Sequence, residues 1–314
     1  MAEYKHKILI LGSGPAGYSA GIYAARSQLD PLIISGDQIG GQLTTTNVIE
    51  NYPGFIKPIK ASLLMDNMRQ QALNVGCKIV DDVISEVDFE RKPFVCSSVK
   101  HNQYIGESVI IATGASTKWL HVPGEDKFRG WGVSSCATCD GFFYRGKVVA
   151  VVGGGNTAVE EALFLAGIAS QVILIHRRDA LRADKILQDR ILHHPRVTIV
   201  WNTVIEEIFG QDTPPGMAAL KLKNVKNDVE STLSADALFV AIGHTPNTAI
   251  FQPQLDLDKQ GYILTYPQGS CMTNIQGVFA AGDVVSGNFK QAIIAAGSGC
   301  LAFLEAQKYL AQLK

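Results

Sequence analysis

Three features of the sequence predict an α/β protein with two Rossmann-like dinucleotide-binding domains, one inserted into the other. Apolar strands alternate with helical segments, two strands run into glycine-rich turns, and a third pair of strands closes each half with a similar small-residue ending. Lys7–Leu11 is an apolar strand that ends in GSGPAG, followed by a helix from Ala16 to Gln28 and a strand at Pro31–Ser35. Lys147–Val152 repeats the plan: it ends in GGGNTA, then comes a helix from Ala158 to Gly167 and a strand at Gln171–His176. The closing strands read SVIIATG at Ser108–Gly114 and ALFVAIG at Ala237–Gly243, with a related GVFAAGD at Gly277–Asp283. A helical pattern over Gln291–Leu313, interrupted by Gly297 and Gly299, ends the chain. Glycine, proline and small polar residues cluster at Gly114–Leu120 and Gly243–Asn247, which are read as the crossings between domains. The expected bounds are 1–114 with 246–314 for the outer domain, and 115–245 for the inserted one.

Composition narrows the function classes. A chain of 314 residues, 46% hydrophobic and 18% charged, has room for about two globular domains. A net charge of -1 gives no electrostatic reason to expect nucleic acid or an anionic membrane as partner. No apolar run approaches the ~20 residues that cross a bilayer. Met1 to Lys7 leads directly into a strand without a signal-peptide pattern. Six cysteines, only two of them closely spaced, are too sparse for a disulfide framework. The expected setting is a reducing one, the cytoplasm.

A glycine loop between strand and helix lets the backbone approach a pyrophosphate, whose charge is held by N–H groups at the helix start. In the first copy Gly12 allows the tight turn, Gly14 the close approach and Gly17 the packing of helix on sheet, with Pro15 and Ala16 opening the helix. The second copy supplies Gly153, Gly155, Asn156 and Thr157. One such loop could be a helix start with no ligand; two in equivalent contexts argue for two dinucleotides. After the second, His176, Arg177 and Arg178, with Arg182 nearby, stand where an acid would hold a free ribose 2′-hydroxyl. Basic groups suit a 2′-phosphate instead, which points to NADPH, although a solvated basic turn reads the same way. After the first, the position holds Ser35 and then Gly36, a departure from the acidic fingerprint. The run Gly40, Gly41, Gln42, Leu43 and on to Asn51 is rich in amides, hydroxyls and backbone donors, as a flavin's polar edge requires, or as a polar surface loop would be.

Cys136-Ala137-Thr138-Cys139-Asp140 lies between the two loops. A CxxC can be half a zinc site, a redox disulfide or an incidental pair. Tetrahedral zinc needs four ligands, and Cys77, Cys96, Cys271 and Cys300 are isolated while His193 and His194 are adjacent, so no metal is expected. As a redox pair, one thiol with a lowered pKa attacks a partner's disulfide and the second resolves the mixed disulfide. Asp140 is a candidate proton donor and acceptor if burial raises its pKa; its alternative role is to cap the following turn.

With these motifs assembled, the chain resembles the low-molecular-weight, bacterial-type thioredoxin reductases over nearly its whole length. The resemblance rests on GSGPAG, GGQLTTT, CATCDG, GGGNTAVEEA, HRRD with Arg182, AIGHTPNTAIF and GVFAAGD. It implies a homodimer, FAD in the discontinuous domain, and NADPH with the dithiol in the inserted one. It implies that Gly282, Asp283, Lys290, Gln291 and Ala292 contact the flavin, together with Ser35–Leu43 and Asn51. Lys290 stands where the family usually has arginine, keeping the charge but losing the planar fork. The resemblance also implies that Cys139 faces the flavin and Cys136 attacks thioredoxin. Because hydride donor and disulfide cannot share one flavin face, the inserted domain is expected to swivel between half-reactions. Other readings are a reductase or oxidase of a different dithiol substrate, and a redox sensor without catalysis.

Overall fold

The computed structural model describes residues 2–285 and 289–313. The chain divides into two compact units, one formed by residues 1–44, 52–116 and 244–314, the other by 45–51 and 117–243. Of the four crossings, those at 116–117 and 243–244 fall inside the two stretches rich in glycine, proline and small polar residues, and those at 44–45 and 51–52 do not. Residues 45–51, expected in the outer domain, belong instead to the second unit: Asn47 lies so close to Gly130 that a Cβ there would stand 3.2 Å from the Asn47 Cβ.

In the first unit a seven-stranded sheet is ordered Lys78–Val80, Pro31–Ile34, Glu3–Leu11, Gln103–Ile111, Phe94–Ser98, Ile84–Asp88, with Val278–Ala280 also on Gln103–Ile111. Glu3–Leu11 pairs in parallel with neighbours on both sides, Leu11 opposite Ile34 and Ile111. Successive side chains of a strand face opposite ways, and here both faces are covered. Ile8, Ile10, Ile33 and Ile110 enter one core with the helices Pro15–Arg26 and Ala292–Gln312. Leu9, Leu11, Leu32, Ile34 and Ile111 enter the other. Burying each such side chain contributes about 1.5–3 kcal/mol, which is why these strands read as continuous apolar runs. The C-terminal helix is continuous through the two glycines that punctuate its pattern. Gly299 is where its backbone meets the first helix: a Cβ there would lie 2.0 Å from the Ala16 carbonyl oxygen.

The second unit repeats the arrangement with a parallel five-stranded sheet, ordered Val133–Ser134, Ala237–Ala241, Val148–Gly153, Gln171–Ile175, Val197–Val200. Val149, Val151, Leu174 and Phe239 face the helix Asn156–Ala166, while Ala150, Val152, Ile175 and Leu238 face the opposite way. That second face is covered by a feature absent from the sequence expectations, an antiparallel sheet of Thr203–Asp212, Pro215–Asn224 and Glu230–Ser234.

Candidate active site

The two glycine loops are built alike. At Gly12 the backbone takes a φ of 113°, and a Cβ would lie 2.3 Å from the Ala112 carbonyl oxygen; its amide is held by the Ile34 carbonyl at 2.8 Å. At Gly153 a Cβ would lie 2.4 Å from the Ala241 carbonyl oxygen. Gly17 closes the first loop, where a Cβ would stand 2.0 Å from the Gly12 oxygen. Both helix N-caps, Gly14 and Gly155, have nothing within 4 Å of a would-be Cβ. The first intrahelical donors are Tyr18, onto Gly14, and Val159, onto Gly155. The preceding N–H groups, Ala16 and Gly17 in one loop and Asn156, Thr157 and Ala158 in the other, are therefore left to a ligand by helix geometry. An open, amide-lined cradle of this kind fits a pyrophosphate.

Around the first loop the rim carries no basic residue between Ser35 and Leu43; its one charged side chain there, Asp37, is exposed and accepts the Gln38 N–H at 2.9 Å. Ser13 donates its hydroxyl to the Ser35 carbonyl at 2.8 Å and accepts the Gly40 N–H at 3.1 Å. Ser35 itself is buried, with its hydroxyl on the Gly36 carbonyl. Gly41 lies against Gly14, and Gln42 bonds Gln38 at 2.9 Å within a short turn, Gln42–Thr45, whose Leu43 packs on the core. Asn51 is exposed and sits in the segment grouped with the second unit. On the other side Gly282 donates its N–H to Ser298 at 2.8 Å, beside Asp283, whose carboxyl burial pushes up to about 6. Lys290 opposes that shift; it is partly buried, its ammonium 5.3 Å from the Tyr262 ring centroid, and burial lowers its own pKa. Gln291 caps the long helix and Ala292 begins it.

The second rim is basic. Arg177, Arg178 and Arg182 are exposed, and none forms an ion pair among the described residues, whereas the intervening Asp179 is taken by Lys226 at 2.9 Å. Two clamps draw this rim onto the loop. The Arg182 N–H bonds the Gly154 carbonyl at 2.7 Å, and Asn156 and Asp184 exchange hydrogen bonds at 2.8 and 2.9 Å. His176 is placed differently from the arginines. It is buried, edge-on to Trp201, with its Nε2 at 3.0 Å from the Ala180 carbonyl, and its ring fills the space where Gly154 would carry a Cβ. It supports the loop from behind.

Cys136 and Cys139 form a disulfide with Cα atoms 5.3 Å apart. Cys136 is the N-cap of the short helix Ala137–Asp140; Ser134 receives its N–H at 3.1 Å, and the Cys139 and Asp140 amides return to its carbonyl at 3.3 and 3.1 Å. Burial raises the Asp140 carboxyl above the usual carboxylate range, with the Ser134 hydroxyl working against it. The other thiols with resolved shifts, Cys77, Cys96 and Cys271, are buried and pushed up to about 12, so they are inert by comparison. The sequence reading overlooked one acid beside the dithiol, Glu161, because nothing in a helical GGGNTAVEEA run shows which of its two glutamates faces inward.

Residues 6–299 match the family model described as pyridine nucleotide-disulphide oxidoreductase. A thioredoxin reductase from Rickettsia bellii is 53% identical over 97% of this chain and 98% of its own. A thioredoxin reductase structure from Giardia duodenalis superposes with a TM-score of 0.94 at 36% identity, covering 98% of this chain and 99% of the other. A Pseudomonas fluorescens protein named glucosaminate ammonia-lyase is 48% identical over 99% of this chain and 98% of its own, so whole-chain identity alone does not select an activity. The paired phosphate cradles, the arginine rim and the disulfide agree with the family match, and the chain belongs to the pyridine nucleotide-disulphide oxidoreductase family, on its thioredoxin reductase branch.

Proposed function

We propose that the protein is an NADPH-dependent thioredoxin-disulfide reductase carrying FAD. The observation that carries this reading is a CxxC disulfide built into the same unit as an arginine-rimmed phosphate loop. The Gly12–Gly17 loop, the Ser35–Leu43 rim, Asn51 and the Gly282–Asp283 turn with Lys290–Ala292 would hold FAD. Gly153–Thr157 would receive the NADPH pyrophosphate, with Arg177, Arg178 and Arg182 on its 2′-phosphate and His176 bracing the loop. Bound there, the two cofactors supply two-electron transport from a nicotinamide to a disulfide.

The chain's own residues then perform the exchange. Once the Cys136–Cys139 bond is reduced, the Cys136 thiolate attacks one sulfur of the substrate disulfide, forming a mixed disulfide and expelling the other sulfur. Cys139 attacks the Cys136 sulfur, re-forming the intramolecular bond and releasing the second substrate sulfur. Each departing thiolate needs a proton. Asp140, kept protonated further up the pH scale by burial, would give one. Reduction from within and exchange with a protein outside make opposite demands on one dithiol, so the segment 117–243 turns about the crossings near residues 116–117 and 243–244.

Several features support the remaining parts of the reading. The helix Ala292–Gln312 leaves Ile293, Ile294, Leu301 and Leu304 exposed, an apolar row suited to a second copy of the chain in a homodimer. Among the described residues no helix is long and apolar enough to cross a membrane, and the net charge of -1 offers nothing to nucleic acid. The cytoplasm is the compartment where a dithiol reductase of this kind serves. Anaerobic NADPH titration of the purified protein, with its mass checked by sedimentation, tests the whole. Bleaching of the flavin, uptake of four electrons per chain and turnover on oxidised thioredoxin are expected of a dimer. Uptake of two electrons only, or turnover that ignores thioredoxin, would refute the assignment.

A further inference from the structure

Helix Asn156–Ala166 serves the phosphate loop at its start and the dithiol along its side. The segment after the cysteines lies directly on it: a Cβ at Gly141 would stand 2.8 Å from Leu165 and 3.2 Å from Ile168. Glu161, one turn before Leu165, shares that face. Every fully buried residue of this helix is apolar, namely Ala158, Val159, Ala162, Leu165 and Ala166. Glu161 is the exception among its inward-facing residues: its Oε2 is buried and has no hydrogen-bond partner among the described residues. Its carboxyl is instead met by the backbone N–H of Ala137, the first peptide of the dithiol turn and the residue after Cys136. A lone buried carboxyl is a poor way to fill a core, where leucine would do better.

We propose that Glu161 is a positioning residue for the Cys136–Cys139 couple, tethering the first peptide of the dithiol turn and taking up one proton when the disulfide is reduced. This deepens the disulfide-reductase reading and rests on it. Burial brings the Glu161 carboxyl to about 7, with the Ala137 N–H the one influence opposing it. The titratable groups on elements packed against this helix are Asp140 and Tyr144 beside the dithiol, and Lys185, Asp189 and Arg190 on helix Lys185–Leu192; none contributes to the shift. The neighbouring strands carry no titratable side chain.

The proton balance is direct. Two electrons from the NADPH-dependent reduction break the sulfur–sulfur bond. One sulfur takes a proton and the other remains a thiolate, whose new negative charge draws a solvent proton onto Glu161. Exchange with the substrate disulfide re-forms the bond, passes the electron pair to the substrate sulfurs and releases that proton. The tether matters at the moment of opening, because a four-residue helix has no stability of its own once its disulfide is gone.

The test compares the flavin-bound wild type with Glu161→Gln, which keeps an acceptor for Ala137 but cannot titrate, and with Glu161→Leu, which does neither. Each protein is fully reduced, and the alkylation rate of its dithiol by iodoacetamide is followed from pH 5 to 9. Wild type should show two steps. Glu161→Gln should show one, with the thiol about three- to ten-fold more reactive near pH 7 because a nearby negative charge is gone. Glu161→Leu should share that single step but reoxidise more slowly with a small disulfide, a defect that glutamine does not produce. Proton uptake on reduction by dithiothreitol, measured in both proteins, should be larger in wild type than in Glu161→Gln near pH 7 and equal near pH 9. Superimposable alkylation profiles and equal proton uptake would overturn the proposal. Failure of NADPH to reduce the wild-type dithiol would instead overturn the reductase reading.

Discussion

The two glycine loops share a backbone and differ in their rims, and that difference divides the labour of the molecule. Both turn tightly where a carbonyl of the neighbouring closing strand leaves no space for a side chain, Ala112 in one case and Ala241 in the other. Both begin a helix at an uncrowded glycine. Ser13 and Ser35 knit the first rim to itself with hydroxyls, while the second extends three arginines that form no ion pair among the described residues, Arg182 being tied to the loop through its N–H on the Gly154 carbonyl. On the function proposed above, the shared part would recognise what all dinucleotides have, and the rim what separates them.

The strongest way to break this comparison is at the turn itself. Gly12→Ala must place a methyl group on the Ala112 carbonyl in a left-handed backbone, and should cost several kcal/mol, leaving little soluble, flavin-loaded protein. Gly14→Ala, with open space at the same loop, should fold normally and weaken flavin retention alone. Flavin content and urea midpoints decide the matter. A fully loaded Gly12→Ala protein would show that the loop does not depend on the close approach described.

The rim gives the next largest effect. Replacing Arg177, Arg178 and Arg182 with neutral residues should lower the preference for NADPH over NADH by about 10²–10³-fold, since each charge-assisted bond contributes about 1.5–3 kcal/mol and the three share one phosphate. Flavin content should not change. Steady-state kcat/KM with both nucleotides measures it, and an unaltered ratio would mean that the arginines are merely a solvated turn.

The same contrast explains what could be read in advance. Glycines at 12, 17 and 153 are dictated by backbone collisions that a strand–turn–helix context already implies, so both loops were legible. The Cys136–Cys139 pair was legible because its spacing permits few chemistries. His176 was not: a residue just past a strand can turn either way, and its inward direction depends on Trp201 and Gly154, distant in sequence or featureless in it. The antiparallel sheet over 203–234 was missed because its strands do not alternate cleanly: Thr203–Asp212 runs in pairs, Val204-Ile205, Glu206-Glu207 and Ile208-Phe209, with the register shifting between Ile205 and Glu207. Residues 45–51 fell within the expected 1–114 segment, whereas they group with the other unit, where Asn47 lies against Gly130. Glu161 shows the same limit, since burial of one glutamate in a pair is decided entirely by the segment that lands on it.

The smallest effect separates the buried acids of the two halves. Asp283, at about 6, keeps a lysine nearby; Glu161, at about 7, has only a backbone N–H. Both folded-state values lie above the ordinary carboxyl values of 3.8 and 4.5, so the folded protein binds more protons than the unfolded chain between them. Their stability contribution is therefore complete below those lower values and is lost as pH rises through about 6 and about 7 respectively. Removing the charge at either site should restore part of it at pH 8 and change little at pH 4. The two should not restore it equally. Glu161→Gln abolishes an uncompensated ionisation and should gain about 1–2 kcal/mol at pH 8. Asp283→Asn also deprives Lys290 of an attraction that favours its charged form, so its gain should be smaller or vanish. Urea midpoints of the flavin-bound proteins at pH 4, 6 and 8 report both. A larger gain for Asp283→Asn than for Glu161→Gln would mean that the lysine does little for the first acid, and that the two halves bury their charges alike.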